Sequence, residues 1–103
     1  MPGPRFLASV ISVDQGELGV AAERLLAAGV DGLHVDISDG VFVPDLTFGH
    51  RTVKALRERT DALLDVHLMV SRPEDHLAEL ARAGADRVCF HVAAAPYPWR
   101  VVS

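Results

Sequence analysis

The fold is decided by the stretch Leu33-His34-Val35-Asp36-Ile37-Ser38-Asp39-Gly40. If this stretch begins as a β-strand, its side chains alternate between two faces, with His34 and Asp36 on one face and aliphatic residues on the other. A second stretch, Asp65-Val66-His67-Leu68-Met69, repeats this division of polar and apolar side chains. Two neighbouring parallel strands with these sequences would bring His34, Asp36 and His67 together.

The predicted cluster has the donor atoms that a divalent metal ion needs. Two imidazoles and a carboxylate each offer a lone pair in their deprotonated forms near neutral pH, which suits Zn, Fe(II), Mn or Co without choosing among them. A single histidine is more often a hydrogen-bonded core or loop residue. The shared facing pattern of the three residues therefore favours a metal site over the simpler interpretation.

Length and composition are typical of one globular domain at most. The chain has 103 residues, of which 50% are apolar, so a hydrophobic core is within reach. Its formal net charge is −4 and its pI is about 5.6. Because no basic patch stands out, we predict neither a nucleic-acid partner nor a membrane partner.

The sequence also bears on the cellular compartment. Cys89 is the only cysteine, which excludes an intrachain disulfide and fits a reducing environment. Residues 1–12 make a poor secretory signal, and no apolar run approaches the length of a membrane span. We therefore expect a cytoplasmic protein.

Strand and helix patterns alternate along the chain. Strands are predicted over residues 6–11, 30–37, 61–68 and 87–92, and helices over 15–28, 47–59 and 71–83, with another helix beginning in 96–103. Asp14 is expected to cap the first helix, and Gly84 to end the third. This order predicts consecutive βαβ units and a parallel sheet, with ligand-binding groups at the carboxyl ends of the strands.

Several of these motifs together resemble the ribulose-phosphate 3-epimerase family. The resemblance is carried by residues 34–44, from His34-Val35-Asp36 to Pro44, and by residues 65–69. Residues 8–14, 83–86 and 90–92 are similar to further family motifs. The match runs nearly end to end and in the right order, so it is specific where a lone His-Val-Asp would not be.

The resemblance implies a fold and an activity. Members are (β/α)8 barrels that interconvert D-ribulose 5-phosphate and D-xylulose 5-phosphate through a metal-stabilised enediolate. Asp36 is implied as one of two carboxylates that work on opposite faces of C3, and His34, Asp36 and His67 as three of four metal ligands. Ser9, His67 and Met69 are implied to contact the phosphorylated ketose substrate.

The resemblance covers the N-terminal half of such a barrel, which has about 200 to 250 residues when complete. Residues 1–103 would form a single partial domain with the first four strands and three complete helices. We therefore expect a fragment that lacks the fourth ligand, the second aspartate and the glycine-rich phosphate site. Alone, it should be poorly stable or form a homo-oligomer through its sheet edges, and it should have no substantial epimerase activity.

Two other functions stay open at the level of sequence. One is epimerisation of a six-carbon ketose phosphate, which would need the same chemistry. The other is a non-catalytic half barrel that binds metal and oligomerises. Turnover of allulose 6-phosphate would indicate the first, and metal binding without turnover would indicate the second.

Four further polar residues receive structural interpretations. Asp39 is expected to order the loop before Gly40. Asp65 is expected either to orient the imidazole of His67 or to make a simple structural hydrogen bond. For His91 we favour a packing or polar-layer role over metal ligation. Ser38 stands where the family commonly has methionine, so a hydroxyl is expected in the collar around the sugar.

Overall fold

Strands and helices alternate in the computed structural model, which describes residues 5–94 except for the side chain of Val92. The strands are β1 (Leu7–Ser9), β2 (Gly32–Ser38), β3 (Leu63–Met69) and β4 (Arg87–Phe90), and the helices are α1 (Leu18–Ala27), α2 (His50–Arg57) and α3 (Leu77–Ala83). Short 3-10 turns occupy Gln15–Glu17, Pro73–Asp75 and Val92–Ala94. No helix within residues 5–94 is long and apolar enough to cross a membrane.

The four strands form one parallel sheet in the order β1-β2-β3-β4. Each helix links two adjacent parallel strands, which is the repeating unit of a (β/α)8 barrel. The predicted fold class is therefore confirmed as the N-terminal half of such a barrel. The register places His34 beside Asp65 and Asp36 beside His67, so the two polar stretches face each other pair by pair.

The hydrophobic core lies between one face of the sheet and the helices. Alternate residues of β2 and β3 are buried, and they are the aliphatic ones that the period of two predicts. Helix α2 contributes Val53 and Leu56, and α3 contributes Leu80. The opposite face carries the histidines and aspartates, so burial of the aliphatic face fixes which way the polar face points.

Several elements are shorter than the sequence pattern predicts. Strand β1 ends at Ser9 because the chain turns at Val10, although the Val10 amide still donates to the carbonyl of His34 at 3.1 Å. Asp14 caps as predicted, but it accepts from Gly16 N at 3.0 Å and starts a 3-10 turn before α1. Strand β4 ends at Phe90, not residue 92. The helix predicted in 96–103 lies outside the described residues.

The helix-to-strand turns before β2 and β4, at residues 27–32 and 82–87, have similar sequences and use one aspartate each in the same way. Asp31 Oδ2 accepts from the amide of Phe6 at 2.7 Å, and Asp86 Oδ2 accepts from the amide of Leu64 at 2.8 Å. Each carboxylate thus ties the turn to the strand next to it. Hydrogen bonding to Leu64 N and the Arg57 guanidinium hold the pKa of the Asp86 carboxyl below its usual value.

Arg57, the last residue of α2, joins the two turns that precede β3 and β4. Its guanidinium donates to the carbonyl oxygens of Thr60 at 3.1 Å and Gly84 at 2.8 Å, to the carbonyl of Ala62, and to Asp86 Oδ2 at 3.0 Å. Gly84 ends α3 with φ +109°, and a Cβ there would overlap the Arg57 side chain. Glycine is therefore required at this position both by conformation and by space.

Candidate metal centre

The polar face of β2 and β3 brings together the three residues that the sequence predicts as metal ligands. One ligand atom from each of His34, Asp36 and His67 can be chosen so that all three lie within 4.8 Å of one another. Their side chains are 29%, 15% and 27% exposed, so the cluster is shielded but reachable from solvent. Adjacent parallel strands and the period of two are sufficient to place them there.

One oxygen of Asp36 is the centre of the cluster. Asp36 Oδ1 lies 3.1 Å from His34 Nε2 and 3.1 Å from His67 Nδ1. The two imidazole rings lie 5.9 Å apart between centroids. Three candidate donor atoms therefore converge from two strands.

The far nitrogen of each imidazole has its own partner. His34 Nδ1 lies 2.9 Å from Asp65 Oδ2, and because a carboxylate accepts, a neutral His34 ring that donates to Asp65 carries its proton on Nδ1. That leaves His34 Nε2 to face Asp36. His67 Nε2 lies 2.8 Å from Nε2 of His91, which leaves His67 Nδ1 to face Asp36. Partners on the far nitrogen are the usual means of orienting an imidazole that binds metal.

The donor set fits a divalent cation. When the near nitrogens are deprotonated, two imidazole lone pairs and a carboxylate oxygen face one another at close range, an arrangement that repels itself without positive charge between the atoms. Protons on the nitrogens or a cation relieve this repulsion. Two imidazoles with a carboxylate suit Zn, Fe(II), Mn or Co.

The second oxygen of Asp36 faces a different group. Ser9 Oγ donates to Asp36 Oδ2 at 3.3 Å, and the amide of Ile11 donates to Ser9 Oγ at 3.3 Å. Ser9 is exposed and ends β1, so it lies on the open side of the cluster. Asp36 therefore presents one oxygen to the imidazoles and the other to the exposed Ser9.

Thr47 fixes the backbone that carries Asp36, a role that no pattern in the sequence indicates. Its hydroxyl donates to the carbonyl oxygen of Asp36 at 2.6 Å and accepts from the amide of Ser38 at 2.9 Å. Thr47 was predicted to start the second helix, but α2 begins at His50. A residue with a hydroxyl side chain is common just before a helix, so its presence there does not indicate that it anchors the backbone of a strand.

The hydroxyl of Ser38 also contacts Thr47. Ser38 is buried at 4% exposure, and its hydroxyl lies 3.1 Å from Thr47 Oγ1. Since the Thr47 proton goes to Asp36, the Ser38 hydroxyl donates to Thr47. This hydrogen bond ties the Ser38 hydroxyl to the loop, and its effect on the collar around the sugar stays a prediction. Met69 ends β3 beside Ser38 and is half-buried.

Asp39 orders two loops, as its position before Gly40 predicts. Its Oδ1 accepts from the amides of Val41 and Phe42 at 2.9 Å, and its Oδ2 accepts from the amide and hydroxyl of Ser71 at 2.9 and 3.1 Å. The hydrogen bond from the Ser71 amide, followed by those from Phe42 and Val41, holds the pKa of the Asp39 carboxyl well below its usual range.

Two expectations about neighbouring residues are settled by the geometry. Asp65 orients an imidazole, but that imidazole belongs to His34, because the register pairs these two residues across the strands. His91, directly after β4, contacts the far nitrogen of His67 and is not among the three residues whose ligand atoms lie within 4.8 Å of one another. Tyr97 and Trp99 belong to the helix predicted in 96–103, which lies outside the described residues.

The fold and the cluster define a class of protein, the α/β-barrel type with a His/Asp/His centre on the polar face of its strands. Comparison with known sequences makes this specific: the chain belongs to the Ribulose-phosphate 3 epimerase family, whose sequence model matches residues 5–103. The predicted family is thereby confirmed.

Curated relatives carry the same family name. The cytoplasmic isoform of ribulose-phosphate 3-epimerase from Oryza sativa subsp. japonica is 44% identical over 92 residues, which cover 89% of this chain and 40% of the relative. The ribulose-phosphate 3-epimerase of Treponema pallidum is 43% identical over 94 residues, or 91% of this chain and 43% of the relative. A chloroplastic relative from Arabidopsis thaliana is 45% identical over 83 residues, 81% of this chain and 30% of the relative. The chain thus spans less than half the length of these relatives.

Proposed function

We propose that this chain forms one part of the active site of an epimerase that interconverts D-ribulose 5-phosphate and D-xylulose 5-phosphate. This part supplies metal ligands and the first of two acid/base carboxylates. The observation that carries the proposal is that the two oxygens of Asp36 have different neighbours: Oδ1 faces two imidazoles, while Oδ2 faces the exposed Ser9. A carboxylate that both holds a cation and reaches a substrate needs this arrangement. Family membership supports the choice of a ketose phosphate.

The proposed ligands are His34 through Nε2, Asp36 through Oδ1 and His67 through Nδ1. A divalent cation bound there would act as a Lewis acid on negative charge that develops at the substrate oxygens. Asp36 Oδ2 would take the proton from C3 on one face and become a carboxylic acid. A second carboxyl group on the opposite face would deliver a proton to C3, which inverts that carbon and restores the charge balance.

The remaining site residues have positioning roles in this proposal. Ser9 would hold Asp36 Oδ2 by its hydrogen bond and contact the substrate beside it. Met69, half-buried at the end of β3, would offer an apolar surface to the sugar, and His67 would contact it from the same strand. The second carboxyl group, a fourth ligand and a phosphate site are assigned to the opposite wall of a complete barrel.

Deuterium exchange at C3 tests the chemistry assigned to this wall. The purified chain, supplied in turn with Zn²⁺, Mn²⁺, Co²⁺ or Fe²⁺, is incubated with D-ribulose 5-phosphate in D₂O and followed by NMR. We expect deuterium to enter at C3, because one base suffices for exchange, and little xylulose 5-phosphate to form, because inversion needs a base on each face. Asp36→Asn should abolish the exchange.

Asp45→Asn is the matched control, since Asp45 is an exposed carboxylate in the loop after β2. Exchange that survives in Asp36→Asn, or that disappears equally in Asp45→Asn, would contradict the proposal. Faster exchange into allulose 6-phosphate would favour the six-carbon alternative. Cation binding without exchange into either sugar would favour the non-catalytic one.

We also propose that the 103-residue chain self-associates in the cytoplasm. Among residues 5–94, the outer edges of β1 and β4 have no strand partner, and Phe6 beside β1 is 67% exposed. Unpaired edges of this kind pair readily with other strands. Analytical ultracentrifugation should show a mass that rises with protein concentration. A monomer with a sharp, concentration-independent unfolding transition would contradict this expectation.

A further inference from the structure

His91 follows β4 directly and lies next to the proposed metal ligands without being one of them. Its Nε2 lies 2.8 Å from Nε2 of His67, and the two rings are 5.0 Å apart between centroids at 37°. The ligand atoms that cluster within 4.8 Å of one another come from His34, Asp36 and His67. His91 thus contacts the centre through the far side of one ligand.

A second contact holds the ring of His91 in place. Phe42, in the loop after β2, packs against it with ring centroids 5.2 Å apart at 39°. Asp39 accepts a hydrogen bond from the amide of Phe42 at 2.9 Å, which fixes that loop. The ring of His91 therefore contacts both Phe42 and His67.

Two nitrogens at 2.8 Å share one proton, and the position of that proton decides what His67 can do. When His67 Nδ1 gives its lone pair to a cation, the neutral ring carries its proton on Nε2. That N–H then needs an acceptor, and Nε2 of His91 is at the right distance to accept it. A proton on His91 Nδ1 leaves its Nε2 free for this role.

We infer that His91 is a positioning residue, which accepts the hydrogen bond from His67 Nε2 and so keeps His67 Nδ1 directed at the cation. This inference rests on the proposed metal centre. It extends the role that Asp65 has for His34 to the second imidazole, with a neutral ring in place of a carboxylate. The partner on the far nitrogen orients the ring and raises the basicity of the ligand.

Zinc affinity of matched variants tests the inference at one fixed pH, by competition with a chromophoric chelator. His91→Leu removes the acceptor, and we expect affinity to fall about 10- to 100-fold. His91→Gln offers an amide oxygen as acceptor and should stay within a few-fold of the wild type. His76→Leu makes the same change at an exposed histidine just before α3 and should leave affinity unchanged.

NMR of the zinc-loaded wild type gives an independent readout that needs no variant. We expect the Nε2 proton of His67 to be observable and slow to exchange, because it is donated to His91. Circular dichroism checks that each variant is folded, and if His91→Leu is not, His91→Gln and the NMR result decide. A His67 ring protonated on Nδ1 in the zinc form would overturn the inference.

The zinc measurements distinguish a failure of the role of His91 from a failure of the proposed metal centre. Zinc binding that is lost in Asp36→Asn but equal in His91→Leu and His76→Leu overturns the role of His91 and leaves the metal centre intact. No zinc binding by the wild type overturns the centre and, with it, the role of His91. Loss in His91→Leu with rescue in His91→Gln supports both.

Discussion

Replacement of Thr47 by valine should weaken both the fold and the proposed metal centre. Valine has nearly the same shape as threonine, so the change removes the hydroxyl and little else. The hydroxyl donates to the carbonyl of Asp36 at 2.6 Å and accepts from the amide and hydroxyl of Ser38 at 2.9 and 3.1 Å. The variant therefore breaks three hydrogen bonds at the end of β2 at once.

The magnitude follows from which groups are left without partners. Ser38 is only 4% exposed, so water replaces its lost partner poorly. A buried polar group left unsatisfied costs about 1–3 kcal/mol, and we expect the free energy of unfolding to fall by about 2 kcal/mol. With a slope of about 2 kcal/mol per molar urea, the unfolding midpoint should drop by about 1 M.

Urea unfolding at one fixed protein concentration measures this difference, because any self-association then contributes equally to each sample. Thr47→Ser is the matched control, since it keeps the hydroxyl and loses one methyl group, at a cost of about 0.8 kcal/mol or less. Zinc affinity should fall about tenfold or more in Thr47→Val, because the backbone beside Asp36 is no longer held.

Equal urea midpoints for Thr47→Val and Thr47→Ser would refute the reasoning, because the two variants differ by the hydroxyl that is credited with the effect. Unchanged zinc affinity in a destabilised Thr47→Val protein would refute only the link between the anchor and Asp36. The two measurements therefore test the fold and the site separately.

Two further predictions concern charged residues outside the cluster. Arg57→Gln should lower the free energy of unfolding by about 2–3 kcal/mol, because a guanidinium 26% exposed loses several carbonyl partners. Arg82→Gln is the control, because Arg82 is 68% exposed and paired with Glu79, and it should cost less than about 1 kcal/mol. Equal urea midpoints for Arg57→Gln and Arg82→Gln would contradict the prediction. The Asp39 carboxyl has a folded pKa below its unfolded value of about 3.9, so its stabilisation is present above that pH and is lost as the pH falls below it. The difference in urea midpoint between wild type and Asp39→Asn should therefore stay constant from pH 7 to about 4 and begin to narrow between about pH 4 and 3, and curves that stay parallel down to pH 3 would count against this role.

The sequence predicts the fold and the three central site residues because both depend on the period of two. In β2 and β3 every buried position is aliphatic except Gly32 and Ser38 at the ends of β2, and the inner positions of the other face are all polar: His34, Asp36, Asp65 and His67. Adjacent placement of β2 and β3 is the default for consecutive βαβ units. His34, Asp36 and His67 are therefore predictable from local alternation and chain order alone.

Partners that depend on register or on loop conformation could not be predicted in this way. Alternation places Asp65 on the same face as His67, but only the pairing of His34 with Asp65 shows which imidazole it orients. Thr47 lies nine residues beyond Ser38, and no periodic pattern connects them. The contact of His91 with His67 requires both the register of β4 and the path of the chain after Phe90.

The arrangement of these partners is compatible with the proposed cation site forming within one half of a barrel. The three proposed ligands and Asp65 come from the adjacent strands β2 and β3, and His91 is the residue directly after β4. Because each contact joins neighbouring strands, none requires the sheet to close. Inversion at C3 is different, since a base must approach from the opposite face. Cation binding and one-sided proton exchange should thus be separable from epimerisation in this chain, and that separation is what the deuterium experiment measures.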